Sequence, residues 1–193
     1  MRLYGMLVAG ALLAMFQSPA LAGDPTLLGY GIGAFDETFL DPRLAYFKVD
    51  YNRPHYPAGD NRLEIIGGYN LLPTPEIYGR LHPTAGFEIT TSAGTWMGGG
   101  LAYDVNYGPV HFTPKFEPGL FMPGDGKRLN YPLEFRTSFE LSYEFLDRSR
   151  VGVAISHISN GQLSERYNHN LPNPGADILS IYYRIPLEKL FPG

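Results

Sequence analysis

Apolar and polar side chains alternate along the segment from Pro132 to Leu146. Its odd positions are nearly all apolar or aromatic: Leu133, Phe135, Thr137, Phe139, Leu141, Tyr143 and Phe145. Its even positions are polar or charged: Glu134, Arg136, Ser138, Glu140, Ser142 and Glu144. Successive side chains of a strand point to opposite faces, so the segment has one apolar face and one charged face. No dry core accepts the second face, although a sandwich can turn such a face to water.

The same period of two recurs along the rest of the chain. It is clear in three more segments: Arg43–Tyr51, Arg150–Asn160 and Asp177–Leu187. It is weaker in four others: Leu28–Asp36, Ile77–Ser92, Thr95–Asn106 and Val110–Met122. Eight tilted strands of about nine to eleven residues form the smallest bacterial outer-membrane barrel, and closure leaves no unpaired edge in lipid. The pattern therefore predicts an all-β fold, an eight-stranded antiparallel outer-membrane β-barrel.

The connections between these segments predict the topology. With the mature N-terminus in the periplasm, Asn106–Pro109 and Asp147–Arg150 become short periplasmic turns, and Phe121–Pro132 and Gly161–Ala176 become outside loops. The connection Asn52–Glu76 is too long for a periplasmic turn. It contains the apolar stretch Leu63–Tyr69, which fits a ninth strand or a short cap, and the sequence does not decide between them.

The first residues form a secretory signal. Arg2 supplies a positive charge, Met6 to Phe16 are apolar or small, and Ala20-Leu21-Ala22 provides the small-x-small cleavage pattern. The apolar run is shorter than the roughly 20 residues that a transmembrane helix needs. We therefore predict cleavage of residues 1–22 and a single barrel domain over residues 23–193.

Composition removes several classes of function. The formal net charge is −4, and the 15 Lys and Arg residues form no dense cluster, which argues against nucleic-acid binding. The absence of Cys excludes disulfides, thiol catalysis and Cys-based zinc sites. His55, His82 and His111 lack carboxylate partners at metal-ligand spacing. We therefore predict no metal and no cofactor.

Candidate chemistry lies at the end of the strand that begins at Arg150. His157 and Ser159 share odd parity with the apolar residues before them, and residues two apart on a strand are about 6.5 Å apart. Asp177 begins the next strand with the parity of its apolar face. A serine activated by a histidine, with a carboxylate to orient the imidazole, suits a nucleophilic mechanism. Without further information, these three residues are equally consistent with polar groups at the membrane interface that have no catalytic role.

These residues resemble the lipid A 3-O-deacylases of the PagL type. The two signature pieces read His157-Ile158-Ser159-Asn160 and Asn173-Pro174-Gly175-Ala176-Asp177. The resemblance implies an outer-membrane barrel that hydrolyses the ester-linked acyl chain at the 3-position of lipid A. It also implies a triad of nucleophile Ser159, base His157 and acid Asp177. The acid of the family is usually Glu, which is one methylene longer, and Glu165 is the alternative acid. We favour Asp177 because Glu165 lies in a polar loop without fixed parity.

The resemblance also implies a partner, lipopolysaccharide of the outer leaflet. Candidate oxyanion donors are Asn160, Asn173 and the backbone amide of Gly175, although the inward parity of Asn160 equally fits a brace for the rim. Two other functions stay open: a non-enzymatic small barrel, and a lipid acyltransferase or phospholipase on a similar barrel. The sequence decides neither the preferred acyl-chain length nor whether the barrel forms a homodimer.

Overall fold

Eight antiparallel strands form a closed barrel in the computed structural model, which describes residues 24–36, 56–72 and 79–191. The strands are β1 (Leu27–Phe35), β2 (Ala58–Ile66), β3 (Arg80–Thr90), β4 (Thr95–Tyr107), β5 (Val110–Met122), β6 (Leu133–Glu144), β7 (Arg150–Ser159) and β8 (Ala176–Pro186). Two short helices are α1 (Leu163–Tyr167) and α2 (Leu187–Leu190). Each strand pairs with its neighbours in sequence, and β1 closes onto β8. The predicted fold class is confirmed.

The second strand lies where the sequence predicted a connection. β2 occupies Ala58–Ile66, inside Asn52–Glu76, and it pairs with both β1 and β3. Treating Asn52–Glu76 as a connection was therefore wrong. Of the two alternatives for Leu63–Tyr69, the strand is correct for its start, which belongs to β2. Gly59 and Asn61 occupy the outward face of β2, which weakens its apolar alternation. The predicted strand Arg43–Tyr51 lies outside the described residues.

The barrel has two different ends. At the loop end, β5 joins β6 through residues 123–132 and β7 joins β8 through residues 160–175. At the turn end, β4 joins β5 through residues 108–109 and β6 joins β7 through residues 145–149. The two predicted short turns thus lie at one end and the two predicted long loops at the other. No helix in the described part of the chain is long and apolar enough to cross a membrane.

The outer wall is apolar, as the alternation predicts for a barrel surrounded by lipid. On β6, Phe139, Leu141 and Tyr143 are about half exposed, whereas Glu140 and Ser142 between them are buried. Aromatic rings pack against one another across β5 and β6. Phe112 stacks on Phe139 with ring centroids 6.3 Å apart, so part of the wall is a continuous aromatic surface.

Charged side chains fill the interior of the barrel. In its middle, Lys115 Nζ donates to Glu64 at 2.9 Å and to Glu140 at 3.0 Å, and Arg184 bridges the same two carboxylates. Gly29 makes room for Arg184, because a Cβ at that position would lie 2.7 Å from Arg184 Cγ. Opposite charges pair here because an isolated charge in a low-dielectric interior costs several kcal/mol.

Further ion pairs lie on either side of this centre. Toward the loop end, Arg62 binds Glu117 at 2.7 Å and Arg136 pairs with Glu88. Toward the turn end, Asp104 accepts hydrogen bonds from Thr113, Arg150 and a nitrogen of the His111 ring. His111 therefore has a carboxylate partner that its spacing in the sequence does not reveal. Register between β4 and β5 creates that pair.

A cavity of about 20 Å³ remains within the network, lined by residues that include Lys115, Tyr182 and Arg184. That volume holds about one water molecule. The hydroxyls of Ser180 and Tyr182 are buried without a hydrogen-bond partner among the described residues, and they suit such a water. Among the described residues, the side chains around this cavity therefore leave little free space in the middle of the barrel.

We expect Arg184→Met to lower the free energy of unfolding by about 3–5 kcal/mol, because it leaves Glu64 and Glu140 buried with too little positive charge. Urea unfolding in detergent micelles, followed by the fluorescence of the single buried Trp96, measures the change. The matched control is Lys189→Met, because Lys189 pairs with Asp147 on the surface. Equal midpoints for the two variants would contradict a stabilising role for the interior network.

Candidate active site

The site residues lie on the outer wall at the loop end, where strand parity separates them from the interior. His157 and Ser159 face outward on β7, with Ile158 pointing inward between them. On β8, Asp177 is flanked by the inward residues Ala176 and Ile178. The three inward residues pack in an apolar cluster with Phe35, Trp96, Phe121 and Leu129. The wall that carries the site is therefore backed by a dry, packed layer.

His157 and Asp177 form a direct hydrogen bond. They are cross-strand partners in the β7–β8 register, and His157 Nδ1 lies 2.7 Å from Asp177 Oδ1. Their side chains are 14% and 9% exposed, so little water competes for this bond. A neutral imidazole that donates from Nδ1 keeps its lone pair on Nε2, the tautomer that a general base needs. The shorter acid reaches the histidine because it lies directly opposite.

Glu165 lies elsewhere in the loop. It occupies the first turn of α1 with its side chain exposed, and it forms no ion pair with another described residue. His169, in the same loop, is also exposed. The structure therefore brings Asp177, and not Glu165, to the imidazole.

Gly175 holds the chain close to the imidazole. A Cβ built at this position would lie 2.9 Å from His157 Cε1 and 3.2 Å from Nε2. Its φ of +59° is in the left-handed region that favours glycine. Gly175 directly precedes Ala176, which pairs with Ile158 at the end of the β7–β8 register. The backbone at Gly175 thus lies close to the imidazole of His157.

Asn160 braces the rim from the inside. Its side chain is fully buried and donates to the carbonyl of Leu129 at 2.8 Å and to Glu134 at 3.2 Å. Its amide oxygen accepts from the Ser164 hydroxyl at 3.3 Å. These bonds tie the end of β7 to the β5–β6 loop, to β6 and to α1.

The backbone of Asn160 contacts Asn173, the last of the six candidate site residues. Its N–H donates to Asn173 Oδ1 at 3.4 Å, and the side-chain NH₂ of Asn173 then remains as a donor. The sequence does not indicate that Glu134 and Ser164 form hydrogen bonds with Asn160, because these bonds join segments that are distant in the sequence. The inward parity of Glu134 and its position beside Asn160 in the strand order were the available signal.

The surroundings of Ser159 are apolar on the side away from β8. Phe135 is its cross-strand partner on β6. Phe116 stacks on Phe135 with ring centroids 5.8 Å apart. Within the described ranges, no group of three or more His, Asp or Glu side chains is placed to hold a metal ion. The arrangement combines a hydroxyl, an oriented imidazole and a lipid-facing aromatic wall, which suits attack on an ester at a membrane surface.

Two comparisons with known proteins found matches to this chain. The family model described as "Lipid A 3-O-deacylase (PagL)" matches residues 68–186, more than half of the chain. A solved structure, "Crystal structure of the outer membrane enzyme PagL", superposes with a TM-score of 0.58 at 18% sequence identity. That match covers 83% of this chain and 99% of the other, and it shows a shared fold. No curated protein sequence matches the chain.

We expect Gly175→Ala to displace the imidazole and to slow labelling of Ser159 by a fluorophosphonate probe about a hundredfold. Gly161→Ala is the matched control. Gly161 has a φ of +58° in the same loop, but a Cβ there would meet only Phe135 Cε2, at 3.9 Å. The two variants share the backbone strain and differ in the collision with His157. Equal labelling rates for both variants would show that the contact with the imidazole is unimportant.

Proposed function

This chain belongs to the lipid A 3-O-deacylase (PagL) family, and on that basis we propose that it is a serine esterase of the outer membrane. It hydrolyses the ester-linked acyl chain at the 3-position of lipid A, with Ser159 as nucleophile, His157 as base and Asp177 as acid. The observation that carries the proposal is the 2.7 Å hydrogen bond between His157 and Asp177 on the lipid-facing wall beside Ser159. Without that bond, the outward polar residues would suit an interfacial girdle equally well.

The reaction proceeds in two halves. His157 Nε2 accepts the hydroxyl proton of Ser159 as Oγ attacks the ester carbonyl carbon. The tetrahedral intermediate collapses, the sugar oxygen leaves with the proton from the imidazolium, and the acyl group stays on Ser159. Water then attacks the acyl-enzyme with His157 again as base, which releases the fatty acid and restores the serine. Asp177 stabilises the imidazolium in both halves.

Two groups are the candidate donors to the oxyanion. One is the backbone N–H of Gly175, which directly precedes the last β7–β8 pair, and the other is the NH₂ group of Asn173, whose amide oxygen accepts from the Asn160 backbone. Donors fixed before the reaction stabilise developing charge without reorganisation. Asn160 itself has a positioning role, because its side chain forms its hydrogen bonds on the inner face of the rim.

The outside wall suits this substrate. Lipid A of the outer leaflet keeps its acyl chains in hydrocarbon, so the ester lies at the height of the rim and no chain has to leave the membrane. With the loop end outward, the site faces the leaflet that holds lipopolysaccharide. Cleavage of residues 1–22 and formation of a homodimer stay predictions.

We expect Ser159→Ala and His157→Ala each to reduce release of the 3-linked acyl chain by several orders of magnitude, because each removes a member of one reacting unit. Mass spectrometry of lipid A and of the released fatty acid measures the change. Ser180→Ala is the matched control, since its hydroxyl is buried without a hydrogen-bond partner among the described residues. Near wild-type release from either triad variant would refute the assignment. Transfer of the chain to another lipid in place of free acid would indicate the acyltransferase alternative.

We also expect Asp177→Asn to lower the deacylation rate about a hundredfold or more, because the amide no longer stabilises the imidazolium. Glu165→Gln should change the rate little, since this side chain is exposed on α1. The same lipid A assay compares the two. The reverse order would assign the acid to Glu165, and two unaffected rates would indicate a Ser-His dyad.

A further inference from the structure

Leu146 is a fully exposed leucine in a tight turn. It lies in the β6–β7 turn, where the backbone N–H of Arg148 donates to the carbonyl of Phe145, and its relative exposure is 106%. Such turns are dominated by Gly, Pro, Asn, Asp and Ser, which suit both the backbone geometry and water. The leucine side chain offers no hydrogen bond and lies wholly outside the protein. The turn therefore breaks a local rule, as functional positions do.

Two further apolar side chains lie beside Leu146. α2 follows β8 at the same end of the barrel, and Lys189 Nζ lies 2.7 Å from Asp147 Oδ2. Leu190 and Phe191 come directly after Lys189 and are both exposed, Phe191 by 72%. The ion pair thus joins α2 to the turn that contains Leu146. We call these three side chains the turn-end patch: Leu146, Leu190 and Phe191.

The height of the barrel places this patch at a membrane surface. β7 has 10 residues and β8 has 11, and each strand joins the end that carries the candidate site to the turn end. At about 3.3 Å per residue and a tilt of about 40°, such strands rise roughly 25–28 Å along the membrane normal. The apolar band of an outer-membrane barrel is about 25 Å tall. With Ser159 at the outer interface, the patch therefore lies at the inner interface.

Cationic side chains border the patch. Lys189 and Arg148 are both partly exposed at the turn end. An ammonium group has three N–H donors, and the ion pair of Lys189 with Asp147 leaves donors for a phosphate oxygen. Long cationic side chains lay their stems on apolar surface and keep their charge at the headgroups. Apolar side chains with cations at their border are the composition that binds a phospholipid interface.

We infer that the turn-end patch inserts into the inner leaflet of the outer membrane and sets the depth of the barrel. Its apolar side chains lie at the boundary between phospholipid headgroups and acyl chains, and Lys189 binds a headgroup phosphate. Strands of fixed length then hold Ser159 at the height of the outer-leaflet ester. The insertion stands on its own, whereas its consequence for catalysis rests on the proposed esterase function.

Spin labels at single cysteines test the insertion, because the chain contains no Cys of its own. Leu146→Cys and Phe191→Cys each receive a nitroxide, and the protein is reconstituted into vesicles of phosphatidylethanolamine and phosphatidylglycerol. Oxygen collects in hydrocarbon, whereas a nickel chelate stays in water. We expect the chelate to relax both labels about threefold less than a label at Asp125→Cys, because the inserted patch is withdrawn from water. Asp125 is exposed in the β5–β6 loop and gives the reference for water.

The reference for lipid is Phe112→Cys, at an outward and half-exposed residue of β5. Labels on the patch should share its preference for oxygen over the chelate. Chelate accessibility equal to that of the Asp125→Cys label would place the patch in water and overturn the inference. Protection from both reagents would indicate a protein contact, such as a second copy of the chain, and would overturn it too.

Leu146→Ser combined with Phe191→Ser tests the control of depth. We expect this variant to release the acyl chain from lipid A in vesicles about fivefold or more slowly than wild type, since a misplacement of about 1 Å can cost about a hundredfold in rate. In detergent micelles, which adapt to any apolar belt, the two rates should be equal. The matched control keeps the patch apolar: Leu146→Met combined with Phe191→Leu should retain the wild-type rate in vesicles.

Equal rates of the serine variant and wild type in vesicles would overturn the control of depth. The same loss in vesicles and in micelles would overturn it as well, because the effect would then be independent of the membrane. Wild-type protein that releases no acyl chain from either preparation would contradict the proposed function, and the spin labels would still decide the insertion.

Discussion

Closure of β1 onto β8 fixes the side of the wall on which every strand residue lies. A slip of one residue in any strand pair would turn apolar side chains toward the interior and charged side chains toward lipid. The charged interior and the surrounding lipid therefore both fix the register. Ion pairs such as Lys115 with Glu64 stabilise the inner face of the wall, and packing between aromatic rings stabilises the outer face. The chemistry depends on the same rule. His157, Ser159 and Asp177 face lipid because parity leaves them no other side.

Parity also explains how much the sequence could predict. Alternation over β6, β7 and β8 identified those strands nearly to the residue, and it predicted that Asp177 would face His157. The prediction failed at β2, because Gly59 and Asn61 break the apolar face that makes a strand visible. The alternation did not predict the hydrogen bonds of the Asn160 side chain either. Those bonds depend on where loops distant in sequence meet, and no local period records that.

The candidate site lies between a tightly packed layer of strand residues and a less regular loop at the rim. Beneath it, Ile158 and Ile178 are fully buried in the apolar cluster, so the strands that carry His157 and Asp177 have little freedom to shift. Above it, residues 160–175 contain several left-handed conformations and depend on Asn160 for anchorage. His157 and Asp177 therefore belong to the wall, whereas the candidate oxyanion donors belong to a loop. Variation in the loop can change donors or substrate fit without disturbing the imidazole.

The packed interior has a consequence for the cell. Among the described residues, Arg184, Lys115 and their carboxylate partners occupy the middle of the lumen, and the cavity beside them has room for about one water molecule. A lumen filled in this way is no channel for ions or antibiotics. A bacterium can therefore remodel its surface lipid with many copies of such a protein and keep the permeability barrier of its envelope intact.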